Sequence, residues 1–259
     1  MKSLVFSFAL VFGLSAQASG GHGDHGGDQH PVMRVHAQAV SEGNLVAGEI
    51  TYKFTLKDTD SGENLSDRDL RESHTKKLHF IAYDISLQEF NHVHPIFENG
   101  SWTAQLSFPV NGQYFLWAQG ELNDGTEFTA PLRAEVVNGK PAWSTTDLGD
   151  HRTGSDKSTI VTLSNRAIRA GKMAMIDYTV SREDGLSPII TPYLGAMAHV
   201  IAVSPDGEQM LHVHPMDGAT ADTGMLHTTF PKPGDYRLWV QLVDREELKT
   251  VPLSVSVLK

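Results

Sequence analysis

The sequence contains the same unit twice, and this duplication constrains the fold more than any other feature of the chain. The runs Phe108–Gln119 and Phe230–Gln241 both read Phe-Pro-x-x-Gly-x-Tyr-x-Leu-Trp-x-Gln. The tetrapeptide His-Val-His-Pro at 92–95 recurs 120 positions later, at 212–215. A period of about 120 residues is a whole domain rather than one unit of a solenoid. The sequence therefore predicts two domains of one fold in tandem.

Each copy consists of short runs of β-forming residues separated by Gly, Asn and Asp. The run Glu49–Leu56 alternates as a half-buried strand does, and no longer window keeps a helical period. In both copies a Gly-x-Tyr sequence opens an apolar strand, which resembles the tyrosine corner of immunoglobulin-like sandwiches. We therefore predict an all-β chain with two tandem immunoglobulin-like β-sandwich domains, at 41–138 and 158–259, joined by a linker at 139–157.

The segment before the first copy is predicted to lie outside the two sandwiches. Residues 1–18 have a basic start, an apolar run and a small-residue cleavage site, as secretory signal peptides do. Residues 19–40 are rich in Gly and His and carry too few apolar side chains to become ordered. Within them, His22, His25 and His30 are predicted to form a flexible arm that captures a metal ion. A plain solvated linker is the alternative.

The absence of cysteine and the negative charge exclude several classes of protein. Without cysteine the chain forms no disulfide and offers no thiolate, which rules out a blue-copper centre. The net charge of −10 comes without a basic stripe, so that nucleic acid is excluded as a partner. The apolar run near the start is shorter than the roughly 20 residues that cross a bilayer, and we expect no membrane insertion. We expect an exported protein, periplasmic or secreted.

Three histidines occupy matching positions in the two copies, and the second and third are two residues apart. The positions are His79, His92 and His94 in the first copy, and His199, His212 and His214 in the second. Residues i and i+2 of a strand project from one face, so that each such pair can meet at one metal ion. A four-residue turn at Ser204–Gly207 would place His199 opposite His212 and complete a three-histidine site. A bulge that shifts the register by one residue would instead turn His199 to the other face.

The types of donor select the metal. Neutral imidazoles suit copper, zinc and nickel rather than calcium or magnesium. In the second copy Met197 and Met216 flank the histidines, and thioethers select Cu(I). We therefore predict a copper ion, with zinc as the alternative, at one three-histidine site in each copy.

Other residues shared by the two copies are predicted to support the fold. Trp117 and Trp239 follow the Gly-x-Tyr sequences and are interpreted as core residues. Gln119 and Gln241 lie on the same strand face as these tryptophans. They are either partners of the histidines or exposed polar residues, and the sequence leaves both alternatives open.

Two resemblances bear on function. His-Val-His resembles the copper-ligand strand of copper/zinc superoxide dismutases, which implies a metalloenzyme, although the disulfide and the zinc loop of that family have no counterpart here. Gly-Ala-Met-Ala-His199, His-Val-His-Pro and Pro-Gly-Asp-Tyr-Arg-Leu-Trp resemble motifs of another group. These are exported bacterial proteins with immunoglobulin- or cupredoxin-like domains that accompany copper and heavy-metal resistance. That resemblance implies periplasmic metal handling.

Three functions follow from these features. The first is a periplasmic metal-binding protein that sequesters copper or delivers it to a metal transporter or efflux component. The second is a metalloenzyme of hydrolytic or superoxide type. No carboxylate near the histidines belongs to a recognised catalytic motif, so we do not expect an enzyme. The third is a two-domain scaffold or adhesion protein whose histidines are structural.

Overall fold

The computed structural model describes residues 34–73, 75–144 and 148–259. Apart from one 3₁₀ turn, Asp67–Asp69, the regular structure of these residues is β-strand. No helix among them has the length and apolarity needed to cross a membrane. The predicted signal peptide, 1–18, lies outside the described residues.

The first repeat is a sandwich of two β-sheets. Within the described ranges its strands are β1 (Val35–Ala39), β2 (Leu45–Val46), β3 (Gly48–Asp58), β4 (Leu70–Arg71), β5 (Leu78–Asp84), β6 (Phe90–Val93), β7 (Ile96–Glu98), β8 (Ser101–Phe108), β9 (Gly112–Leu122) and β10 (Glu127–Val137). One sheet has the order β1-β3-β8-β7, and the other has the order β2-β10-β9-β5-β6, with β4 also paired to β9. Side chains of both sheets, such as Phe54 and Tyr114, meet in one apolar core.

The second repeat has the same strand order, except that it has an additional edge strand and one strand in place of two. Its strands, in the described part of the chain, are β11 (Thr153–Asp156), β12 (Thr159–Leu163), β13 (Ile168–Arg169), β14 (Met173–Arg182), β15 (Ile190–Thr191), β16 (His199–Val203), β17 (Met210–Asp217), β18 (Thr223–Thr229), β19 (Gly234–Asp244) and β20 (Glu247–Leu258). Strand β11 is the additional edge strand, and β17 corresponds to both β6 and β7. It joins the two sheets, because it pairs with β16 at one end and with β18 at the other. The predicted all-β fold with two tandem immunoglobulin-like sandwiches is confirmed.

The tyrosine corner predicted in each copy is also confirmed. Tyr114 Oη donates to the carbonyl oxygen of Val110 at 3.2 Å, and Tyr236 Oη donates to that of Lys232 at 3.1 Å. Each bond ties the start of a long strand, β9 or β19, to the loop before it. Each also satisfies a hydroxyl group that would otherwise be buried without a partner.

Two strands lie within segments that the sequence analysis assigned to flexible or linking chain. β1 falls inside the segment 19–40, pairs with β3 along its whole length and buries Val35. β11 falls inside the predicted linker 139–157 and pairs with β12. Both strands lie at the edge of a sheet, where a strand needs one pairing partner and buries few side chains. Their composition is therefore less apolar than that of an inner strand, which is why the prediction of flexibility was wrong for β1.

The two sandwiches pack against each other through the outer faces of β5, β6 and β9 and of β16, β17 and β19. A third apolar cluster, drawn from both repeats, fills this interface, and its buried members are Ile81, Tyr83, Leu87, Phe115, Trp117, Leu148, Ile201, Val203 and Trp239. Tyr83 Oη donates to Gly207 O at 2.8 Å, and Arg237 Nε donates to Leu87 O at 2.9 Å. The hairpin turn of each repeat is thereby anchored on the other repeat. Trp117 and Trp239 are core residues, as predicted, but their core is the one between the repeats.

Candidate metal centre

The two hairpins that carry the histidines have the same register. Ile81 pairs with His92 in the first repeat, and Ile201 pairs with His212 in the second. The predicted pairing of His199 with His212 is wrong by two residues, because the loop between β16 and β17 is longer than the predicted turn. A shift of two residues leaves every side chain on its original face of the sheet. His199 and His212 therefore still project from the same side.

Three histidines of the first repeat form a compact group at the interface. His79 lies on β5, His92 lies on β6, and His94 directly follows β6. Each offers one ring nitrogen, and these nitrogens all lie within 4.8 Å of one another. His79 Nδ1 and His92 Nε2 are 3.0 Å apart. His79 and His92 are buried and His94 is partly buried, so that three donors surround one shielded point.

Hydrogen bonds at the outer ring nitrogens orient two of these rings. His79 Nε2 lies 3.3 Å from the carbonyl oxygen of Ser73 and carries hydrogen, because a carbonyl oxygen only accepts. His92 Nδ1 likewise donates to Gln241 Oε1, at 2.7 Å. The two inner nitrogens, His79 Nδ1 and His92 Nε2, are 3.0 Å apart. At this distance they can share a proton or bind one metal ion.

Burial keeps the imidazoles of His92 and His94 in the neutral form that binds metals. It lowers the pKa of His92 well below its usual value, and the neighbouring His79 and His94 lower that pKa further. Burial also lowers the pKa of His94 to about 4. His94 Nε2 is shielded from solvent and has no hydrogen-bond partner among the described residues. Buried polar atoms are rarely left in this state, and a bound ion would satisfy this one.

The second repeat orients its histidines in the same way. His199 Nε2 donates to the carbonyl oxygen of Tyr193 at 2.9 Å, and His212 Nδ1 donates to Gln119 Oε1 at 3.1 Å. The ring centroids of His199 and His212 are 6.2 Å apart. The side chain of His214 lies outside the described residues. The structure thus places two of the three ligands predicted for this copy.

The histidines of the two repeats meet at one interface. The ring centroids of His79 and His212, which belong to different repeats, are 6.2 Å apart. Proximity to His199 contributes to the low pKa of both His92 and His94. Each glutamine that accepts from a histidine also belongs to the opposite repeat. These five residues form a single inter-repeat group, here called the histidine cluster: His79, His92, His94, His199 and His212.

Two clefts open onto the histidine cluster. One has a volume of about 240 Å³ and is bordered by His94, Glu72 and Lys76. The other is bordered by His79 and His212, one from each repeat. A small ligand can therefore reach the cluster from solvent through two openings.

The remaining ligands predicted from the sequence lie apart from the cluster or outside the described residues. Met197 is partly buried and packs against the core of the second repeat. Met216 is exposed on β17. His22, His25 and His30 all precede residue 34 and lie outside the described residues.

The sequence did not reveal the backbone groups that orient the histidines. Ser73 and Tyr193 stand six residues before the first histidine of their copy and contribute only their carbonyl groups. A backbone acceptor leaves no signal in the identity of its side chain. Gln119 and Gln241 did leave a signal, because they recur at matching positions. Their bonds to the opposite repeat depend on how the two repeats pack, which no short-range pattern encodes.

Several solved structures are similar to this chain. They include fibronectin(III)-like modules of Clostridium thermocellum CbhA, with 13% identity over 86% of this chain and 94% of that chain and a TM-score of 0.23. A tetra-tandem repeat from the extending region of a large adhesion protein has 11% identity over 86% and 48%, with a TM-score of 0.29. The Yersinia pseudotuberculosis adhesin InvE has 15% identity over 86% and 59%, with a TM-score of 0.24. TM-scores this low carry no argument about function. No curated protein matches the sequence significantly.

One protein family accounts for both sandwiches. The family model for a domain of unknown function, DUF8832, matches residues 34–138 and 153–259. The first range runs from the start of β1 to the end of β10, and the second runs from β11 to the end of the chain. Together they cover most of the sequence. The chain belongs to the DUF8832 family.

Proposed function

We propose that this protein binds a transition-metal ion at the histidine cluster, with copper favoured and zinc as the alternative. The observation that carries the proposal is the group of His79, His92 and His94, whose ring nitrogens lie within 4.8 Å of one another. Neutral imidazole is a good ligand for copper, zinc and nickel, whereas calcium and magnesium prefer oxygen. The donor set therefore favours a transition metal.

The spacing of the nitrogens fits a shared ion after small rotations of the rings. Imidazole nitrogens bind zinc at about 2.0–2.1 Å, so that two ligands of a tetrahedral ion lie about 3.3 Å apart. His79 Nδ1 and His92 Nε2 are 3.0 Å apart. His94 can turn toward them at little cost, because its Nε2 has no hydrogen bond to lose among the described residues.

The outer hydrogen bonds are of the kind that orients metal ligands. A histidine that binds a metal usually donates its second N–H to a carbonyl or carboxylate oxygen, which fixes the ring and makes it a better donor. His79 donates in this way to Ser73 and His92 donates to Gln241. An ion placed between the two inner nitrogens would be bound by both of these oriented rings.

A site of this kind suits the sequestration or delivery of an ion. Three protein ligands leave a coordination position for a donor from another molecule. His94 borders a cleft that is open to solvent, through which the ion would be exchanged. We infer that this exchange takes place in the periplasm or outside the cell, with a metal transporter or efflux component as the partner.

Titration of the mature chain, residues 19–259, with Cu(I), Cu(II) and Zn(II) tests the proposal. Competition with chromophoric chelators measures both stoichiometry and affinity. We expect His92→Asn to weaken the tight site about a hundredfold or more, since it removes a ligand and the bond to Gln241. His36→Asn and His151→Asn replace exposed histidines and should leave binding unchanged. Equal affinities of wild type and His92→Asn would refute the proposed site.

A triple variant of the predicted capture arm separates its contribution from that of the cluster. Replacing His22, His25 and His30 by Asn should remove only weak additional binding, because the Gly-rich sequence of the arm predicts no fixed ligand geometry. The tight site should keep its affinity and stoichiometry. Loss of the tight site in this variant would move the proposed function from the cluster to the arm.

A scaffold or adhesion protein with structural histidines is the second candidate. The bonds His92–Gln241 and His212–Gln119 favour it, because they link the two repeats across their interface. On this alternative the wild-type chain binds no stoichiometric transition metal, and His92→Asn lowers only the midpoint of thermal unfolding. The same titrations and a thermal melt with added chelator distinguish the two candidates.

A further inference from the structure

A second group of metal-binding side chains lies on the outer face of the second repeat, where β17, β18 and β14 run side by side. Met216 pairs with Met225 across β17 and β18. Met175 pairs with His227 across β14 and β18. Met175 is 45% exposed and Met216 is 50% exposed, and the other two are partly buried. These four residues are here called the thioether face.

The four side chains are close neighbours on one surface. Residues that pair directly across an antiparallel sheet have Cβ atoms about 4.5–5.5 Å apart, and residues two apart on a strand share a face. Met225 and His227 are two apart on β18, so that the two pairs form adjacent rows. Methionine is unbranched and flexible. Met225 and His227 lie between Met216 on β17 and Met175 on β14. Their two donors and the sulfur atom of either outer methionine can therefore reach a common point above the sheet.

Packing does not account for these methionines. The buried positions of the same strands, among them Ala174, Ile176 and Leu226, form the core, whereas the thioether face points away from it. The first repeat has no sulfur at the equivalent positions, which its matching strand register identifies as Thr51, Ile96, Thr103 and Gln105. There, Thr51 donates to Gln105 at 3.0 Å. The fold is thus built without thioethers at this surface in one repeat and with three in the other.

We propose that the thioether face binds Cu(I) between the sulfur atom of Met225 and a ring nitrogen of His227, with the sulfur atom of Met175 or Met216 as the third donor. Thioethers are soft, uncharged donors and select Cu(I) over Zn(II) and Cu(II). Their exposure allows an ion to be taken up from solution and released again. The site is distinct from the histidine cluster and does not depend on the function proposed there. Its Met216 lies on the same strand as His212 of the cluster.

Nuclear magnetic resonance of the methionine methyl groups tests the assignment. The mature chain, labelled with ¹³C at these groups, is titrated with Ag(I), a redox-inert ion with the ligand preferences of Cu(I), and then with Cu(I) under a reductant. We expect one equivalent to shift the signal of Met225 and that of Met175 or Met216. The signals of Met197 and Met210, which pack against apolar clusters, should stay in place. Shifts that are absent, or confined to other methionines, overturn the proposal.

A matched variant takes its residues from the first repeat: M175T/M216I/M225T/H227Q. In competition with a Cu(I) chelator it should lose one bound equivalent and keep any ion held by the histidine cluster. H92N should show the converse, so that failure of this proposal and failure of the proposed function are distinguishable. L186T, which replaces an exposed apolar residue of the same repeat, should bind as wild type. A quadruple variant with wild-type Cu(I) stoichiometry, or a loss in L186T, overturns the assignment.

Discussion

The two repeats contain the same His-Val-His-Pro sequence but place it differently in their sheets. In the first repeat β6 ends before His94 and β7 begins after Pro95, so that these two residues lie in a break. In the second repeat β17 runs unbroken through the motif, and the backbone of His214 pairs with His227. At this break, the ring centroid of His94 lies 4.9 Å from the ring centroid of His79.

This difference separates the features that the two repeats share from those that distinguish them. In both repeats a carbonyl oxygen and a glutamine orient the histidines of paired strands. Only the first has its third histidine in a break between strands, and only the second has thioethers on its outer sheet face. If both proposals hold, the protein has two unlike sites with different metal preferences rather than two copies of one site.

The largest effect of a substitution on stability is expected at the interface between the two repeats. Trp239 is 2% exposed, and its ring stacks on Phe90 of the other repeat at a centroid distance of 4.5 Å. Trp239→Ala should lower the free energy of unfolding by about 3–5 kcal/mol, because it leaves a cavity between the repeats. Urea unfolding followed by circular dichroism measures this change, and Trp143→Ala, at an exposed tryptophan, is the control. A loss that appears in the second repeat alone, as a separate transition, would show that the repeats unfold independently.

Equivalent histidines in the two repeats are expected to differ in their effect on metal affinity. His79→Asn removes one of three gathered donors and should weaken the tight site about a hundredfold or more, whereas His199→Asn should cost about tenfold or less. Competition titrations of the two variants make the comparison directly. Equal losses would mean that both repeats contribute alike to one symmetric site.

The low pKa of His94 predicts that stability falls in mild acid. The folded chain has a pKa of about 4 at His94, whereas an unfolded chain has about 6.5. Between these values the unfolded state binds more protons, so that stability is present at neutral pH and is lost as the pH falls. From pH 7 to pH 5 we expect His94 alone to contribute a loss of about 2 kcal/mol.

Urea unfolding at pH 7 and pH 5, with a chelator present, measures this loss. His94→Gln should reduce the pH dependence, because it removes one of the two groups, His92 and His94, whose pKa is lowered in the folded chain. His36→Gln, at an exposed position outside the cluster, should leave it as in wild type. An unchanged slope in His94→Gln would assign the acid sensitivity to other groups.

Much of the fold could be predicted from the sequence because its signals are local and occur twice. The alternation of Glu49–Leu56 marks β3, and the Gly-x-Tyr sequences mark the tyrosine corners that open β9 and β19. The edge strands β1 and β11 were placed in flexible or linking chain. They bury little and have one partner each, so that neither composition nor period distinguishes them from loop.

The candidate site could be predicted only in part. Residue spacing on a strand puts His92 and His94 on one face, but the register of His79 depends on loop length, which the turn residues did not determine. The packing of the repeats decides the rest. Both faces of β5 are buried, and its alternation of residues does not reveal that one face meets another sandwich. The hydrogen bonds that Gln119 and Gln241 form with the opposite repeat therefore could not be predicted from the sequence.

The two glutamines offer the finest test of the comparison between the repeats. Gln241 is buried and accepts from His92, which belongs to the group of three, whereas Gln119 accepts from His212. Loss of a partner that orients a metal ligand typically weakens binding about 10–100-fold. Gln241→Leu should therefore reduce metal affinity about tenfold, which corresponds to about 1.4 kcal/mol. Gln119→Leu should change it little.

A purely structural role would give a different pattern for the same variants. Both glutamines link the repeats, so both Leu variants should then destabilise the interface to similar extents without any change in metal affinity. Gln241→Glu adds a further distinction, because a carboxylate still accepts from His92 Nδ1 and should preserve binding where Leu does not. If metal affinity falls in Gln241→Leu, is preserved in Gln241→Glu and is unchanged in Gln119→Leu, the metal is bound by the histidines of the first repeat and Gln241 orients them.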